Sequence, residues 1–376
     1  MSVCEFVDAG PPVGADLYAG RHRAPCPPGP VTIALLPAYN EAAGIAAAVR
    51  GLHTQSVPPD EVVVVANNCT DDTAQRARAA GAHVLELPNN PDKKAGALNW
   101  ALAAVLPRLS SHDRILVMDA DSILDAAFLE TAAAYLDEGY GGVGGTFRGG
   151  PGGGFVGHLQ RNEFARYQRD VNRLGGRCLV LTGTAAMFSV ATLRAVSEAR
   201  LCGLLPAGNG HGGVYDTTVL TEDNELTFAL LHLGRKVIAP AECTLVTEVM
   251  PTWRALWRQR LRWKRGAVEN CAQYGLTRIT WQYWGRQVVT ALGIVVSTLY
   301  LGTLAYGAAT GRLVVHPYWL TLTGVFMLER VVTVRYRGWP YMLAAALMYE
   351  LVFEYFLQAC HAWAYACAAT GRERSW

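Results

Sequence analysis

The chain has 376 residues, of which 51% are hydrophobic and only 17% are charged, against roughly 25% charged residues in ordinary soluble domains. This composition excludes a disordered chain and indicates a segment that is more apolar than a soluble core needs. The 33 basic and 31 acidic residues nearly cancel, so charge predicts no nucleic-acid partner. The nine cysteines are scattered without a C-x-x-C pair, which predicts a reducing compartment and no disulfide framework or zinc site.

Residues 1–30 are rich in Pro, Gly and Ala and are predicted to form a flexible leader. Short apolar runs then alternate with helical segments. Strands are expected at 31–36, 61–66 and 114–118, and helices at 41–52, 71–80 and 126–136. This alternation is typical of a parallel sheet covered by helices, and it predicts an α/β nucleotide-binding domain over 31–250.

The C-terminal region, 284–376, is predicted to be an α-helical transmembrane bundle. Residues 287–311 contain no charged side chain and are long enough to cross a hydrocarbon core of about 30 Å. Residues 313–328 and 341–369 are two further candidates, which gives about three spans. Basic residues before the first candidate and between the last two place those ends on the cytoplasmic side: Arg278, Arg286, Arg330, Arg335 and Arg337.

The last candidate span contains Glu350, Glu354 and His361, which a continuous helix would present on one face. Ionisable groups that face lipid are costly, so this face is expected to meet the helical bundle or a wet cavity. One interpretation is an internal polar cluster with Arg330 or Glu329. The other is that the face lines the path by which an acceptor leaves the active site.

Polar motifs follow the first two predicted strands. The sequence PAYNE occupies 37–41 and ANNCTDDT occupies 66–73. Each could be a simple turn and helix start, with Glu41 favourable at a helix N-terminus and Thr70 or Asp71 as a cap. Side by side, the two strand ends predict a floor for a base and a ribose. The following KKAGALN, at 93–99, supplies ammonium groups suited to a diphosphate, or else two solvated lysines.

Two acidic motifs come later in the chain. Asp119 and Asp121 end a predicted strand, where they would bind Mg²⁺ or Mn²⁺ with substrate phosphates, or else cap the next helix. Thr221-Glu222-Asp223 begins a predicted helix whose apolar periodicity covers 226–233. These acids could favour the helix dipole, or Asp223 could be a carboxylate base aimed at an acceptor hydroxyl.

A basic segment with six Lys and Arg residues between positions 254 and 265 contains the sequence QRLRW at 259–263. On a helix, one stripe would consist of Arg254, Arg258, Arg262 and Arg265. A set of Trp and Leu side chains would lie on the opposite face. Residues 251–283 are therefore predicted to be amphipathic interfacial helices. That placement is compatible with a second role in a binding site.

The order PAYNE, NNCTDD, DAD, TED and QRLRW, followed by membrane helices, resembles a family 2 glycosyltransferase of the inverting GT-A type. The resemblance is to the membrane-embedded processive branch that includes cellulose, chitin, hyaluronan and poly-N-acetylglucosamine synthases, and it covers 31–266. It implies that Asp223 is the catalytic base, with Glu222 beside it, and that Asp119 and Asp121 hold the metal. The implied donor-binding residues are Tyr39, Glu41, Asn67, Lys94, Asp119, Asp121, Gln259 and Arg262. The implied acceptor-binding residues are Thr182, Gly183, Thr184 and Trp263.

Two departures from the family pattern are visible. Ala66-Asn67 stands where the family usually has two aspartates, so the acid that accepts from the base ring is missing. An Asn carbonyl oxygen can still accept that N–H, and UDP stays the expected nucleotide. No membrane span is expected ahead of the catalytic domain, which argues against a long secretion channel.

The sequence therefore predicts a multi-pass cell-membrane glycosyltransferase with a cytoplasmic catalytic domain. It would move a sugar from a nucleotide-diphosphate donor, expected to be a UDP-sugar, to a glycan or lipid-linked acceptor with β-linkage, in cell-surface polysaccharide synthesis. Its partners would be the two substrates, a divalent ion and the bilayer, with no nucleic acid. One alternative is single sugar addition to a polyprenyl phosphate or another lipid. A second is a transporter or channel subunit with a vestigial nucleotide-sugar module.

Overall fold

The computed structural model describes residues 29–313 and 317–372, so the predicted leader lies almost wholly outside the described residues. The chain divides into two compact units. The first unit comprises the residues up to Arg148 together with Val171–Glu248, and the second comprises Gly149–Asp170 and the residues from Val249 onward. The inclusion of Gly149–Asp170 in the second unit was not anticipated from the sequence.

The elements between residues 29 and 248 alternate strands and helices. In chain order they are β1 (Thr32–Ala38), α1 (Ile45–His53), β2 (Glu61–Asn67), α2 (Thr73–Ala79), β3 (His83–Leu87), α3 (Lys93–Val105), β4 (Arg114–Met118), β5 (Ile123–Leu124), α4 (Phe128–Asp137), β6 (Gly142–Gly144), β7 (Thr146–Gly149), α5 (Gly154–Arg173), β8 (Ala185–Ser189), α6 (Val190–Leu201), α7 (Glu222–His232), β9 (Val237–Ile238) and β10 (Thr244–Thr247). The three predicted strands and the three predicted helices are confirmed, with shifts of a few residues at their ends.

The main sheet of the first unit has seven strands in the order β3-β2-β1-β4-β8-β6-β9. β1 pairs in parallel with both β2 and β4, so the carboxyl ends of these three strands meet at one edge. β8 runs antiparallel to β4, with Ala185 opposite Met118, which brings the residues before β8 to the same edge. The motifs that follow β1, β2 and β4 therefore converge with residues 182–184. A smaller sheet, in the order β5-β10-β7, was not anticipated.

The second unit consists of helices. After α5 they are α8 (Trp253–Tyr274), α9 (Trp281–Ala309), α10 (Pro317–Thr333), α11 (Trp339–Ala346) and α12 (Leu351–Ala369). α8 begins after Thr252, whose side chain accepts the Ala255 N–H. A buried core joins α5, α8 and α12 through Leu159, Leu256 and Phe353.

Among the described residues, one helix, α9, is long and apolar enough to cross a membrane. A second crossing is available if α11 and α12, which meet at a bend of 65°, form one broken span. α10 contains only 17 residues, whereas a straight crossing needs about 20. The count of about three spans therefore stays a prediction.

The single helix expected at 341–369 is wrong, because the chain breaks between α11 and α12. Met348 adopts a positive φ of 56°, and Glu350 is the residue that caps α12. Glu350 is buried and its carboxylate accepts hydrogen bonds from Asn162 and Arg166 of α5, at 2.6 and 2.5 Å. The break places Glu350 next to these partners. The periodicity of 341–369 predicts an unbroken helix and therefore did not predict these contacts.

The expected internal polar cluster is confirmed for Glu350 and Glu354, whereas the inclusion of His361 stays a prediction. Arg330 contacts the carboxylates of Glu350 and Glu354, at 3.4 and 2.8 Å. Arg169 of α5 contacts Glu329 at 3.1 Å. We call the set the arginine–glutamate cluster; it comprises Arg166, Arg169, Arg330, Glu329, Glu350 and Glu354. Its α5 members were missed because they lie about 160 to 190 positions away in the sequence.

Candidate active site

The strand-end motifs PAYNE and NNCTDD are neighbours, as predicted. The Thr70 N–H donates to the Asn40 side chain and the Glu41 N–H donates to the Thr73 hydroxyl, each at 2.8 Å. Tyr39 stands out from this edge with 62% of its surface exposed, so its ring is free to contact a ligand. Thr73, which ties the two loops together, was not singled out from the sequence.

Asn67 lies inside the fold rather than on the open floor. It is 5% exposed, and its side-chain oxygen accepts a hydrogen bond from Asn90 at 2.9 Å. The oxygen that the sequence offered to a base N–H therefore already has a partner. Sequence reasoning missed Asn90. The glycine at position 96 is the signal that could have indicated it, because a Cβ at Gly96 would lie 2.5 Å from the Asn90 side-chain oxygen. Only glycine tolerates that close approach.

Lys94 bridges the two acidic motifs. Its Nζ lies 2.5 Å from Asp119 Oδ1 and 3.2 Å from Glu222 Oε1. Burial opposes its charge, but the carboxylates of Asp119 and Glu222 outweigh burial and raise the pKa of Lys94, so it is a cation here. The alternative of a solvated lysine is wrong for Lys94, because its ammonium contacts the carboxylates of Asp119 and Glu222.

Asp223 occupies the first turn of α7, which begins after Thr221 as expected. Its carboxylate accepts the Gly183 N–H at 2.8 Å and the Asn224 N–H at 2.7 Å. Burial first, and then the charge of Glu222, raise the pKa of Asp223 above the ordinary Asp value. The structure thus brings the Thr182–Thr184 segment to the expected base, and a raised pKa makes that carboxylate a stronger base.

A small cavity lies between this base and Lys94. Its polar lining includes Lys94, Thr182, Gly183, Tyr215, Glu222 and Asp223. Tyr215 is buried and was missed by sequence reasoning. The Asn99 side chain holds the Tyr215 backbone with two hydrogen bonds, of 2.7 and 2.8 Å. Asn99 is the last residue of KKAGALN, so this motif carries the signal that points to Tyr215.

The acids of this edge form what we call the carboxylate cluster: Glu41, Asp119, Asp121, Glu222 and Asp223. Burial, and then the charge of Asp119, raise the pKa of Asp121 to about 6. Burial, and then the charge of Asp121, raise the pKa of Glu41 to about 7. Glu248, which follows β10, adds to both effects and was also missed. The cluster therefore carries more negative charge than Lys94 compensates.

Asp119 and Asp121 fit a hard divalent cation in ligand type, since both offer carboxylate oxygens. Within 29–313 and 317–372, however, no group of three or more His, Cys, Asp or Glu side chains is arranged to hold a metal ion. Two protein carboxylates match the sites in which substrate phosphates complete the coordination shell. Of the two, Asp121 has no lysine partner, while Asp119 is already bound by Lys94.

The QRLRW motif lies on α8 in the second unit. Trp263 is 36% exposed, and Gln259 accepts a hydrogen bond from Arg260 at 3.1 Å. The predicted stripe of four arginines is wrong at Arg265, which is buried. Its guanidinium lies 2.6 Å from Glu269, one turn along the helix, and also donates to the Arg372 carbonyl.

The chain matches the sequence model described as "Glycosyltransferase like family 2" over residues 27–266, which is more than half of its length. It therefore belongs to glycosyltransferase family 2, as the order of its motifs predicted, and it carries a glycosyltransferase domain. This membership answers the transporter or channel alternative in favour of an enzyme.

Curated relatives include the probable glycosyltransferase YdaM of Bacillus subtilis, 28% identical over 63% of this chain and 55% of that protein. A poly-beta-1,6-N-acetyl-D-glucosamine synthase of Staphylococcus epidermidis is 24% identical over 62% of this chain and 54% of that protein. The chain thus spans about half the length of these relatives. The solved structure of mannosyltransferase PcManGT from Pyrobaculum calidifontis, in complex with GDP-Man and Mn²⁺, superimposes with a TM-score of 0.60 at 20% identity. It covers 96% of this chain and 93% of that chain, which confirms the GT-A fold.

Proposed function

We propose that this protein is an inverting glycosyltransferase that moves a sugar from a nucleotide-diphosphate donor to a glycan acceptor, in the synthesis of a polysaccharide. The observation that carries the proposal is the half-buried Asp223 carboxylate, which accepts the Gly183 N–H and lies in one cavity with Lys94. The test is turnover by purified protein: release of the nucleoside diphosphate and transfer of the sugar are both expected, and both should depend on Asp223.

In the proposed reaction the acceptor oxygen bonds to the anomeric carbon while the bond from that carbon to the diphosphate oxygen breaks. Asp223 takes the hydroxyl proton, and the diphosphate leaves with the bonding electron pair. Attack from the face opposite the leaving group converts an α-linked donor into a β-linked product. The raised pKa of Asp223 suits this role, because a positioned base whose pKa lies nearer the operating pH removes a proton more readily.

Asp121, with Asp119, is proposed to hold a Mg²⁺ or Mn²⁺ ion. Such an ion would supply positive charge to the departing diphosphate. Lys94 brings a second positive charge, fixed by Asp119 and Glu222, to the same edge. By resemblance, Gln259 and Arg262 are assigned to the diphosphate and Trp263 to the acceptor.

The nucleotide is proposed to be UDP, because the family resemblance places Tyr39 and Glu41 where the family holds uridine. Tyr39 and Glu41 are the residues proposed to meet the uridine. A GDP-sugar is the second candidate, since PcManGT was solved with GDP-Man and since Ala66 and the hydrogen-bonded Asn67 leave no free acid for uracil. Turnover of UDP-N-acetylglucosamine, UDP-glucose and GDP-mannose, followed by mass spectrometry of the products, separates the two.

The enzyme is proposed to be a multi-pass protein of the cell membrane, with its catalytic domain in the cytoplasm. The apolar helix α9 and the basic residues Arg278 and Arg286 that flank its start support this placement. Single sugar addition to a polyprenyl phosphate stays the alternative, and the QRLRW motif disfavours it. Product length distinguishes them: a ladder of oligosaccharides supports polymer synthesis, and one lipid-linked sugar supports the alternative.

A further inference from the structure

Arg260 is the buried member of the QRLRW motif, and the proposed mechanism gives it no role. It is only 3% exposed, whereas Trp263 on the same helix is 36% exposed. A buried guanidinium is costly unless charged and aromatic partners surround it. The identity of those partners shows what Arg260 holds in place.

Three kinds of contact surround Arg260. One terminal nitrogen donates to Glu163 of α5 at 2.5 Å, and the other donates to the Gln259 side-chain oxygen at 3.1 Å. The guanidinium carbon lies 4.2 Å from the centre of the Trp263 ring and 5.7 Å from that of Phe164. Two of these partners, Gln259 and Trp263, are residues that the family resemblance places in substrate binding, while Glu163 belongs to a helix without a recognised motif.

We propose that Glu163 and Arg260 are positioning residues for the transfer reaction. Glu163 anchors the guanidinium, and the guanidinium fixes the Trp263 indole from one face and the Gln259 side chain through a hydrogen bond. A sugar ring of the acceptor then meets an indole that is already held in one orientation. This inference rests on the proposed function, because it takes Trp263 to be an acceptor contact.

Physical chemistry favours this arrangement over a merely structural ion pair. An exposed tryptophan that must be ordered when a ligand binds lowers the affinity for that ligand, whereas a preorganised one does not. Arginine suits the task because its planar guanidinium can stack on an aromatic ring while its nitrogens keep their hydrogen bonds. Lysine would keep the charge and lose the stacked plane.

The same helix offers a matched control. Arg265 is also buried, at 8% exposure, and also contacts a carboxylate, Glu269, at 2.6 Å. Its second guanidinium contact is the Arg372 carbonyl rather than the motif. Loss of either arginine should therefore cost stability alike, and only loss of Arg260 should disturb Trp263.

The first measurement needs neither donor nor acceptor. The full chain, labelled with 5-fluorotryptophan and placed in lipid nanodiscs, gives a ¹⁹F resonance for Trp263 that Trp263→Phe identifies. We expect Arg260→Lys and Glu163→Gln to shift and broaden this resonance, and Arg265→Lys to leave it unchanged. An unmoved Trp263 resonance in both Arg260→Lys and Glu163→Gln overturns the proposal, and so does an equal shift in Arg265→Lys.

The second measurement uses UDP-N-acetylglucosamine as donor and a β-1,6-linked N-acetylglucosamine pentasaccharide as acceptor. Arg260→Lys should raise the acceptor KM roughly 10-fold, as expected for loss of a partly buried cation–π contact, and leave the donor KM unchanged. In a Trp263→Ala background, Arg260→Lys should have no further effect on the acceptor KM. Additive losses contradict the proposal. If the unmodified enzyme transfers nothing, the proposed function fails in this form, while the ¹⁹F shift still decides whether Arg260 positions Trp263.

Discussion

The arginine–glutamate cluster and the carboxylate cluster differ in how their charges are matched. In the arginine–glutamate cluster of the second unit, each glutamate contacts an arginine. In the carboxylate cluster of the first unit, Lys94 contacts Asp119 and Glu222, while burial and mutual repulsion raise the pKa of Glu41, Asp121 and Asp223. A matched cluster fixes the packing of helices, whereas a cluster with surplus negative charge is ready to take up a cation or a proton.

The largest expected effect is that of Asp223→Asn. Loss of a positioned general base should reduce turnover by about 10² to 10⁴, because the acceptor proton then has no receiver. Binding of the donor nucleotide, measured by isothermal titration calorimetry, should be retained. Asp137→Asn, which alters a surface carboxylate paired with Arg114, is the control and should turn over normally. Near-normal turnover by Asp223→Asn would move the role of base to another residue.

Removal of the divalent ion should have the next largest effect. If the carboxylate cluster binds a divalent cation, excess chelator should abolish transfer and added Mg²⁺ or Mn²⁺ should restore it. Asp121→Asn should lower turnover roughly 10² to 10³-fold, since a metal supplies several kcal/mol of charge stabilisation. Full activity in chelator would show that the two clusters do not differ in this way.

Substitutions in the arginine–glutamate cluster should lower the stability of the fold rather than the rate of turnover. Replacement of Glu350 and Glu354 with Gln removes the two carboxylates that contact Arg166 and two of those that contact Arg330, and should cost about 3 kcal/mol, seen as a lower unfolding midpoint in detergent. Turnover per folded molecule should hold. Glu86→Gln, which breaks the exposed pair with Arg78, is the control and should cost less than about 1 kcal/mol. Donor hydrolysis without transfer in the double variant would instead favour an acceptor path along this cluster.

The smallest expected effect is a shift in the pH profile. The proposed base must be deprotonated, so activity should fall as the pH drops through the raised pKa of Asp223. The charge of Glu222 contributes to that raised value, and Glu222→Gln should therefore lower the pKa and move the acidic limb of kcat to lower pH. Asp137→Asn should leave the limb in place. A shift of the limb to higher pH in Glu222→Gln would mean that Glu222 is not the charge that raises this pKa.

The parallel half of the main sheet could be predicted because each strand is buried on both faces and reads as a continuous apolar run, as in Glu61–Asn67. The small second sheet could not, since strands such as Ile123–Leu124 are two residues long and leave no periodicity. The helical spacing of 341–369 also gave a wrong prediction, because the helix breaks between α11 and α12. At this break Glu350 contacts Arg166 of α5, which is distant in the sequence.

The types of residue in the candidate site could be predicted, but not their pairings. Asp119 and Asp121 were predictable as site residues because they end a predicted strand, and Asp223 because it lies at the start of a predicted helix. The contact of Lys94 with Asp119 joins positions 25 apart, and that of Glu163 with Arg260 joins positions 97 apart. Such contacts depend on how the elements fold back on one another, which local patterns do not record. For the same reason the hydrogen bond from Asn90 to the Asn67 side-chain oxygen, between positions 23 apart, could not be predicted.

The length of α9 has a consequence for the proposed membrane setting. Its 29 residues, at a rise of about 1.5 Å each, extend roughly 43 Å, well beyond a hydrocarbon core of about 30 Å. Such a helix must tilt or lift its first turn into the headgroup layer, and the choice changes with bilayer thickness.

The turn between α8 and α9 is held by hydrogen bonds. The Thr280 hydroxyl and the Trp284 indole both donate to the Gly275 carbonyl, at 2.6 and 3.2 Å. A change in the tilt of α9 is therefore passed on to the helix that bears QRLRW. If α9 crosses the bilayer as proposed, a change in bilayer thickness would reach the QRLRW helix through these hydrogen bonds to the Gly275 carbonyl.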